Sequence, residues 1–293
     1  MDFGRIVTAM VTPFDNKGNI DFGKTTKLIE YLIENGSDAL VVAGTTGESP
    51  TLTVEEKLAL FKHVVNVVKN RVPVIAGTGG NNTKASIELT KRAEEIGVDA
   101  VMIVAPYYNK PNQEGLYQHF RSIAESTKLP IMIYNIPGRT GINIQSETII
   151  RLSEIPNIVA VKEASGNLNQ MTEIIAKTPK DFRLYSGDDS LTLPVLSIGG
   201  FGVVSVASHV IGLEMKRMIE SFLQGDIQSA SRLNQKLFPL MKGLFAAPNP
   251  VPVKTALQLK GINVGSVRLP LVPLTGTERS TLLQLLNELA ENE

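Results

Sequence analysis

Continuous apolar, β-branched runs recur along the chain at 6–14, 39–44, 73–78, 100–106, 130–137, 158–165, 182–187 and 202–208. Their starts lie about 20 to 34 residues apart, the length of one strand followed by one helix. The runs do not alternate apolar with polar, which is the pattern of parallel strands covered on both faces. The segments between them carry helix-start signals. Thr53-Val54-Glu55-Glu56 reads as a capping box, Asn167-Leu168-Asn169-Gln170 offers the same logic, and Asp21, Thr83 and Asn112 are candidate N-caps. Eight strand–helix units predict an α/β fold of the (β/α)8 TIM-barrel type. An open doubly wound sheet is the competitor, but it usually has fewer strands and often a nucleotide loop. Past residue 224 no strand pattern remains. Helices are predicted over 226–244, 252–259 and 277–290, so 1–224 is read as the barrel and 225–293 as a helical extension packed on it.

Composition narrows the function classes. Among 293 residues, 29 Lys and Arg balance 29 Asp and Glu, so no net field favours nucleic acid or an anionic membrane. The chain has no cysteine, which removes disulfides and thiolate metal sites and fits a reducing cytoplasm. His63, His119 and His209 are far apart, without the spacing of a zinc site. The start of the sequence lacks the basic-then-apolar pattern of a signal peptide, and no apolar run approaches a membrane span. The expectation is a cytoplasmic, metal-free protein acting on small molecules.

Candidate chemistry collects at the carboxyl ends of the predicted strands, the active-site face of a barrel. Strand two runs into Gly44-Thr45-Thr46-Gly47-Glu48-Ser49, strand four into Tyr107-Tyr108, strand five into Tyr134-Asn135-Ile136-Pro137-Gly138-Arg139-Thr140-Gly141, and strand seven into Ser186-Gly187-Asp188-Asp189. Lys162 is the lone cation in Ile158-Val159-Ala160-Val161-Lys162-Glu163-Ala164-Ser165. Burying an ammonium without a partner is expensive and favours the uncharged amine, a nucleophile toward ketones. The alternative is a lysine that reaches the strand end or pairs with a carboxylate. Alternation puts Ile158, Ala160, Lys162 and Ala164 on one face and Val159, Val161 and Glu163 on the other, which makes Glu163 a poor partner for Lys162. The Gly44–Ser49 turn has exposed amides and hydroxyls suited to a small carboxylate, but no P-loop follows it, and Gly77-Thr78-Gly79-Gly80 lacks the third dinucleotide-loop glycine. Arg139 carries a fork that recognises carboxylates. Taken singly, Tyr134 and Tyr108 read equally as packing residues.

Together these segments, with Val161 to Asn167, resemble the class I pyruvate-dependent aldolases and lyases of the dihydrodipicolinate synthase and N-acetylneuraminate lyase family, from Thr8 through Pro270. The resemblance implies a lyase that uses no cofactor. Lys162 would form a Schiff base with pyruvate, and Tyr134 would move protons relayed through Thr45 to Tyr108, the last supplied by a neighbouring subunit. Thr45 and Thr46 would hold the pyruvate carboxylate, with Gly187 and Val204 lining the pocket. Arg139 and the Thr45-Thr46 pair point to the branch that condenses pyruvate with L-aspartate 4-semialdehyde in lysine and diaminopimelate biosynthesis; a pyruvate-forming sugar-acid lyase is the alternative. A homotetramer built as a dimer of dimers is the implied assembly. Lysine-inhibited relatives carry a regulatory site that Ser49, Leu52, Asn81 and Tyr107 match in part. Two histidines and a glutamate of that site are replaced here by Val54, Lys57 and Ala85, which implies weak or absent inhibition by lysine.

Overall fold

The computed structural model describes residues 2–291. Eight parallel strands close in chain order into a barrel: β1 (Ile6–Ala9), β2 (Ala39–Val42), β3 (Val74–Gly77), β4 (Ala100–Val104), β5 (Ile131–Asn135), β6 (Ile158–Glu163), β7 (Arg183–Ser186) and β8 (Gly202–Ser205). β1 pairs with both β2 and β8, which completes the ring. The helices are α1 (Phe22–Glu34), α2 (Val54–Val68), α3 (Thr83–Ile96), α4 (Gln113–Ala124), the single turn α5 (Pro137–Thr140), α6 (Ser146–Ser153), α7 (Leu168–Lys177), α8 (Thr192–Ser197) and α9 (Ser208–Leu223). Three more follow the barrel: α10 (Ile227–Gly243), α11 (Val251–Leu259) and α12 (Gly276–Glu291).

Each strand lies inside its predicted run and stops before the run does. The reason is visible after β1, where Met10, Val11 and Phe14 stay buried beyond the last ladder residue. Burial persists over the barrel mouth after strand pairing ends, and hydrophobicity reports burial. Along each strand the side chains divide by period two. Val7, Val41, Ile75, Met132, Ala160 and Val204 fill the barrel, while Ile6, Leu40, Val74, Ile133, Val161 and Val203 face the helices. The amino-terminal end is plugged by Phe3, Tyr185 and Phe201, with Tyr185 and Phe201 edge to face at 5.6 Å and the Tyr185 hydroxyl donating to Gly4 O.

β6 departs from simple alternation. Ile131 pairs with Ile158 but Met132 pairs with Ala160, so β6 carries an extra residue there. A bulge of this kind resets which face each side chain takes. Ile158 therefore packs in the outer layer and Val159 leans against the inner one, the reverse of the sequence expectation. From Ala160 onward the alternation holds.

Helix starts follow the predicted logic at Asp21, Thr53 and Asn112, whose side chains accept from the amides of Lys24, Glu56 and Gly115. Glu56 returns a bond to the Thr53 amide, completing the box. Two expectations change. α3 is capped by Asn82, not Thr83, because Asn82 Oδ1 accepts from the Ala85 amide. Asn167 caps α7, but Gln170 does not return the bond; its amide donates to the buried Glu163 carboxylate. Beyond the barrel, α10 packs along α9, and Leu237, Leu240 and Leu244 join the outer core with Val253 and Leu257 of α11.

Candidate active site

β6 carries Lys162 to the carboxyl end of the barrel, in register with Tyr134 of β5 and Tyr185 of β7. The side chain is 5% exposed. Its Nζ lies 4.1 Å from the centre of the Tyr134 ring and makes no hydrogen bond or ion pair among the described residues. Glu163 points the other way, where its carboxylate accepts from Asn135 Nδ2, Gln170 Nε2 and the Ser165 amide. No cation pairs with it among the described residues, and burial pushes the Glu163 carboxyl up despite these bonds. Space for the Lys162 stem comes from Gly187: a Cβ there would sit 2.6 Å from Ala164 Cβ and 3.2 Å from Lys162 Cε.

The chain leaving β2 turns sharply. Ala43 and Glu48 both take left-handed backbone angles, with φ of 53° and 57°, a conformation that ordinary side chains occupy at some cost and that clusters at working sites. Gly77 lies beneath this turn, where a Cβ would come within 2.4 Å of Ala43 O. Between the two left-handed residues, the amides of Thr45 and Thr46 make no hydrogen bond among the described residues. Unpaired neighbouring amides are a site for an anion's oxygens.

A cavity of about 450 Å³ opens here, with Thr45, Tyr134 and Arg139 in its wall. Tyr134 is buried, while Arg139, on α5, is exposed and has no acidic partner among the described residues. Thr45, Tyr134 and Arg139 thus share one cavity wall, and Lys162, with Gly187 beside its stem, meets that wall through the Tyr134 ring. Val204 on β8 belongs to the same inner layer as Tyr134. Thr46 is buried behind the wall, its hydroxyl oxygen accepting from Asn249 Nδ2 at 3.0 Å. Tyr108 is not brought to this site within one chain. It is 89% exposed and takes a φ of 72° in the loop after β4. Ser49, Asn81 and Tyr107 line the outer part of the same cavity beside Val54, Lys57 and Ala85.

Two other candidate anion or metal positions are taken by the protein itself. The start of α9, after β8, is where barrels often bind phosphate. Here the Asp189 carboxylate accepts from the amides of Val206 and Ala207 at 3.0 Å each. His209 is fully buried, accepting from the Val11 amide at Nε2, so its Nδ1 donates to Val206 O. His119 is buried beside Thr83. No group of three or more potential metal-ligating side chains occurs among the described residues, and no described helix is long and apolar enough to cross a membrane.

Sequence reasoning missed Asn249, Lys254 and Arg268, which reach the Thr45–Glu48 turn from the extension. One of them had a readable signal. Lys254 interrupts the apolar stretch Val251-Pro252-Val253 before Thr255-Ala256-Leu257, the same pattern that singled out Lys162.

Comparison with known proteins adds a consistent result. The dihydrodipicolinate synthetase family matches residues 2–289. A 4-hydroxy-tetrahydrodipicolinate synthase of Bacillus subtilis is 64% identical over 290 residues, covering 99% of this chain and 100% of that one. The crystal structure of a dihydrodipicolinate synthase from Bacillus anthracis is 64% identical and superposes with a TM-score of 0.97 over 98% of both chains. The enzyme from Cyanidioschyzon merolae, solved with lysine bound, is 52% identical with a TM-score of 0.97, again over 98% of each chain.

Proposed function

We propose that this chain, which belongs to the dihydrodipicolinate synthetase family, is a 4-hydroxy-tetrahydrodipicolinate synthase, a lyase that condenses pyruvate with L-aspartate 4-semialdehyde. The observation that carries the reading is Lys162: a buried amine without a carboxylate partner among the described residues, packed on Tyr134 at the catalytic end of a barrel.

In this reading the Lys162 amine adds to the pyruvate ketone and water leaves, giving an iminium. The iminium takes up electron density as a methyl proton departs, so the reaction uses no resident cofactor. The resulting enamine carbon attacks the aldehyde of the second substrate. That substrate's own amine then adds to the iminium carbon, closes the ring and releases Lys162. Tyr134, against the amine, passes protons at the imine carbon and its oxygen, with Thr45 as the relay. The free amides of Thr45 and Thr46 suit the pyruvate carboxylate, and Gly187 and Val204 border the bound keto acid. The unpaired Arg139 guanidinium suits the carboxylate of aspartate semialdehyde, which favours this acceptor over a sugar acid. Tyr108, projecting from the loop after β4, completes the relay in a neighbouring subunit, within a homotetramer arranged as a dimer of dimers in the cytoplasm.

The test is a steady-state assay with both substrates. Lys162→Ala should abolish condensation, and Arg139→Ala should raise KM for aspartate semialdehyde by about tenfold to a hundredfold while leaving KM for pyruvate near the parent value. Full activity in Lys162→Ala, or cleavage of N-acetylneuraminate as the faster reaction, would contradict it.

A further inference from the structure

The turn that presents Thr45 and Thr46 is held from the far end of the chain. Asn249 is buried and donates to the Thr46 hydroxyl oxygen, which leaves the Thr46 hydrogen free to be donated elsewhere. Lys254, on α11, is 2% exposed and brings Nζ to 2.6 Å from Glu48 Oε1 in a close charge contact. The same amine donates to Ser266 O at 2.8 Å. The Arg268 amide donates to Glu48 Oε2 at 2.8 Å, and its guanidinium reaches Thr51 O and the Glu56 carboxylate. Lys254 and Arg268 both lie against the Phe14 ring, at 4.2 and 4.5 Å from its centre. Apart from the Ser266 bond and the Phe14 contacts, these interactions end on Thr46, Glu48, Thr51 and Glu56, the chain that follows the Thr45 wall of the cavity.

A buried ion pair is a poor way to gain stability, since apolar residues of similar volume often do as well or better. Such a pair can, however, specify one conformation among several. Glu48 needs that, because its left-handed backbone is disfavoured. We propose that the segment 249–268 is a strap that positions the 44–52 loop, with Asn249 and Lys254 as positioning residues for pyruvate recognition. The effect on pyruvate rests on the reading of Thr45 and Thr46 as the carboxylate site; the strap itself rests on the contacts alone.

Hydrogen exchange read by mass spectrometry, together with steady-state kinetics on the full-length protein, tests the assignment. The variants are Asn249→Ala, Lys254→Met and Lys254→Met/Glu48→Gln. In each strap variant, peptides spanning 44–52 should exchange faster than in the parent while those spanning 158–163 do not. KM for pyruvate should rise about tenfold, the size expected for one lost positioning bond, with KM for aspartate semialdehyde within about twofold. The double variant removes the unpaired buried charge, so it should regain thermal stability while keeping the raised pyruvate KM. Parent-like exchange at 44–52 in the strap variants overturns the strap. If exchange at 44–52 accelerates in the strap variants while pyruvate KM stays at the parent value, the carboxylate reading falls, the role of Asn249 and Lys254 in pyruvate recognition falls with it, and the strap survives.

Discussion

Lys162 and Lys254 are both nearly inaccessible, yet their surroundings differ. Lys254 has Glu48 beside it, which opposes a fall in pKa; burial dominates, and its amine is pulled from 10.5 to about 8. Lys162 has an aromatic face, a glycine and, among the described residues, no carboxylate. The same sequence pattern, a lone lysine in an apolar run, thus marks one residue with a structural partner and one with none. What separates them is a contact across more than two hundred residues, invisible to local reading. Gly187 makes the Lys162 environment testable. Gly187→Ala forces a methyl against Ala164 and the Lys162 stem, so kcat should fall about tenfold to a hundredfold and stability by about 1–3 kcal/mol. Saturation kinetics and thermal unfolding would check both, and an alanine variant with parent kcat would show that the lysine stem is not confined there. Lys57 makes a second case. It lines the outer cavity where its amine is half-buried and its pKa is lowered by desolvation. With Val54 and Ala85 beside it, no acid is present at these positions to pair with a lysine ligand's ammonium. Millimolar lysine should therefore leave the rate nearly unchanged, and strong inhibition in the same assay would contradict this.

At the scale of the element, the link between β5 and β6 decides where Lys162 stands. Asn135 spans it: its Nδ2 donates to Glu163 and to Asn143 Oδ1, and its Oδ1 accepts from the Ile144 amide. One side chain therefore fastens both ends of the 135–144 segment that carries Arg139. Asn135→Leu strands a buried carboxylate and an amide, at about 2–4 kcal/mol, and frees that segment. Denaturant unfolding should register the loss, and KM for aspartate semialdehyde should rise more than KM for pyruvate; equal changes in the two would assign Asn135 to stability alone. Strand and helix positions were legible because burial has a period. The β6 bulge was not, since Ile158 and Val159 are both apolar and either face accepts them. The role of Gln170 was hidden for a related reason. A glutamine three residues into a helix suits a capping box, and only the buried Glu163 beside it shows why the bond goes elsewhere.

For the whole molecule, eight regularly spaced apolar runs were enough to predict the barrel, because each run must be covered on both faces. How 225–293 couples to it was not legible, since that coupling lies in paired contacts such as Arg268 with Glu56. We propose that the barrel and the extension unfold as one unit, which a single calorimetric transition would support and two separated transitions would contradict. Acid should destabilise that unit through two histidines. Burial holds both His119 and His209 at about 4, below the ordinary 6.5. Between those values the unfolded chain binds protons that the folded chain does not, so stability is fully present above pH 6.5 and is lost as pH falls toward 4. The loss approaches about 3 kcal/mol per histidine at the acid end. Melting temperature measured from pH 7 to 4.5 should fall, and His119→Met should shallow the slope; an unchanged slope would place the acid sensitivity elsewhere.

The central claim is that Lys162 is the nucleophile. Borohydride reduction with pyruvate present, followed by peptide mapping, tests it most directly. The account predicts one reduced pyruvyl adduct, on the peptide containing Lys162, that requires pyruvate and disappears in Lys162→Ala. An adduct on another lysine, or none under conditions of full turnover, would contradict it.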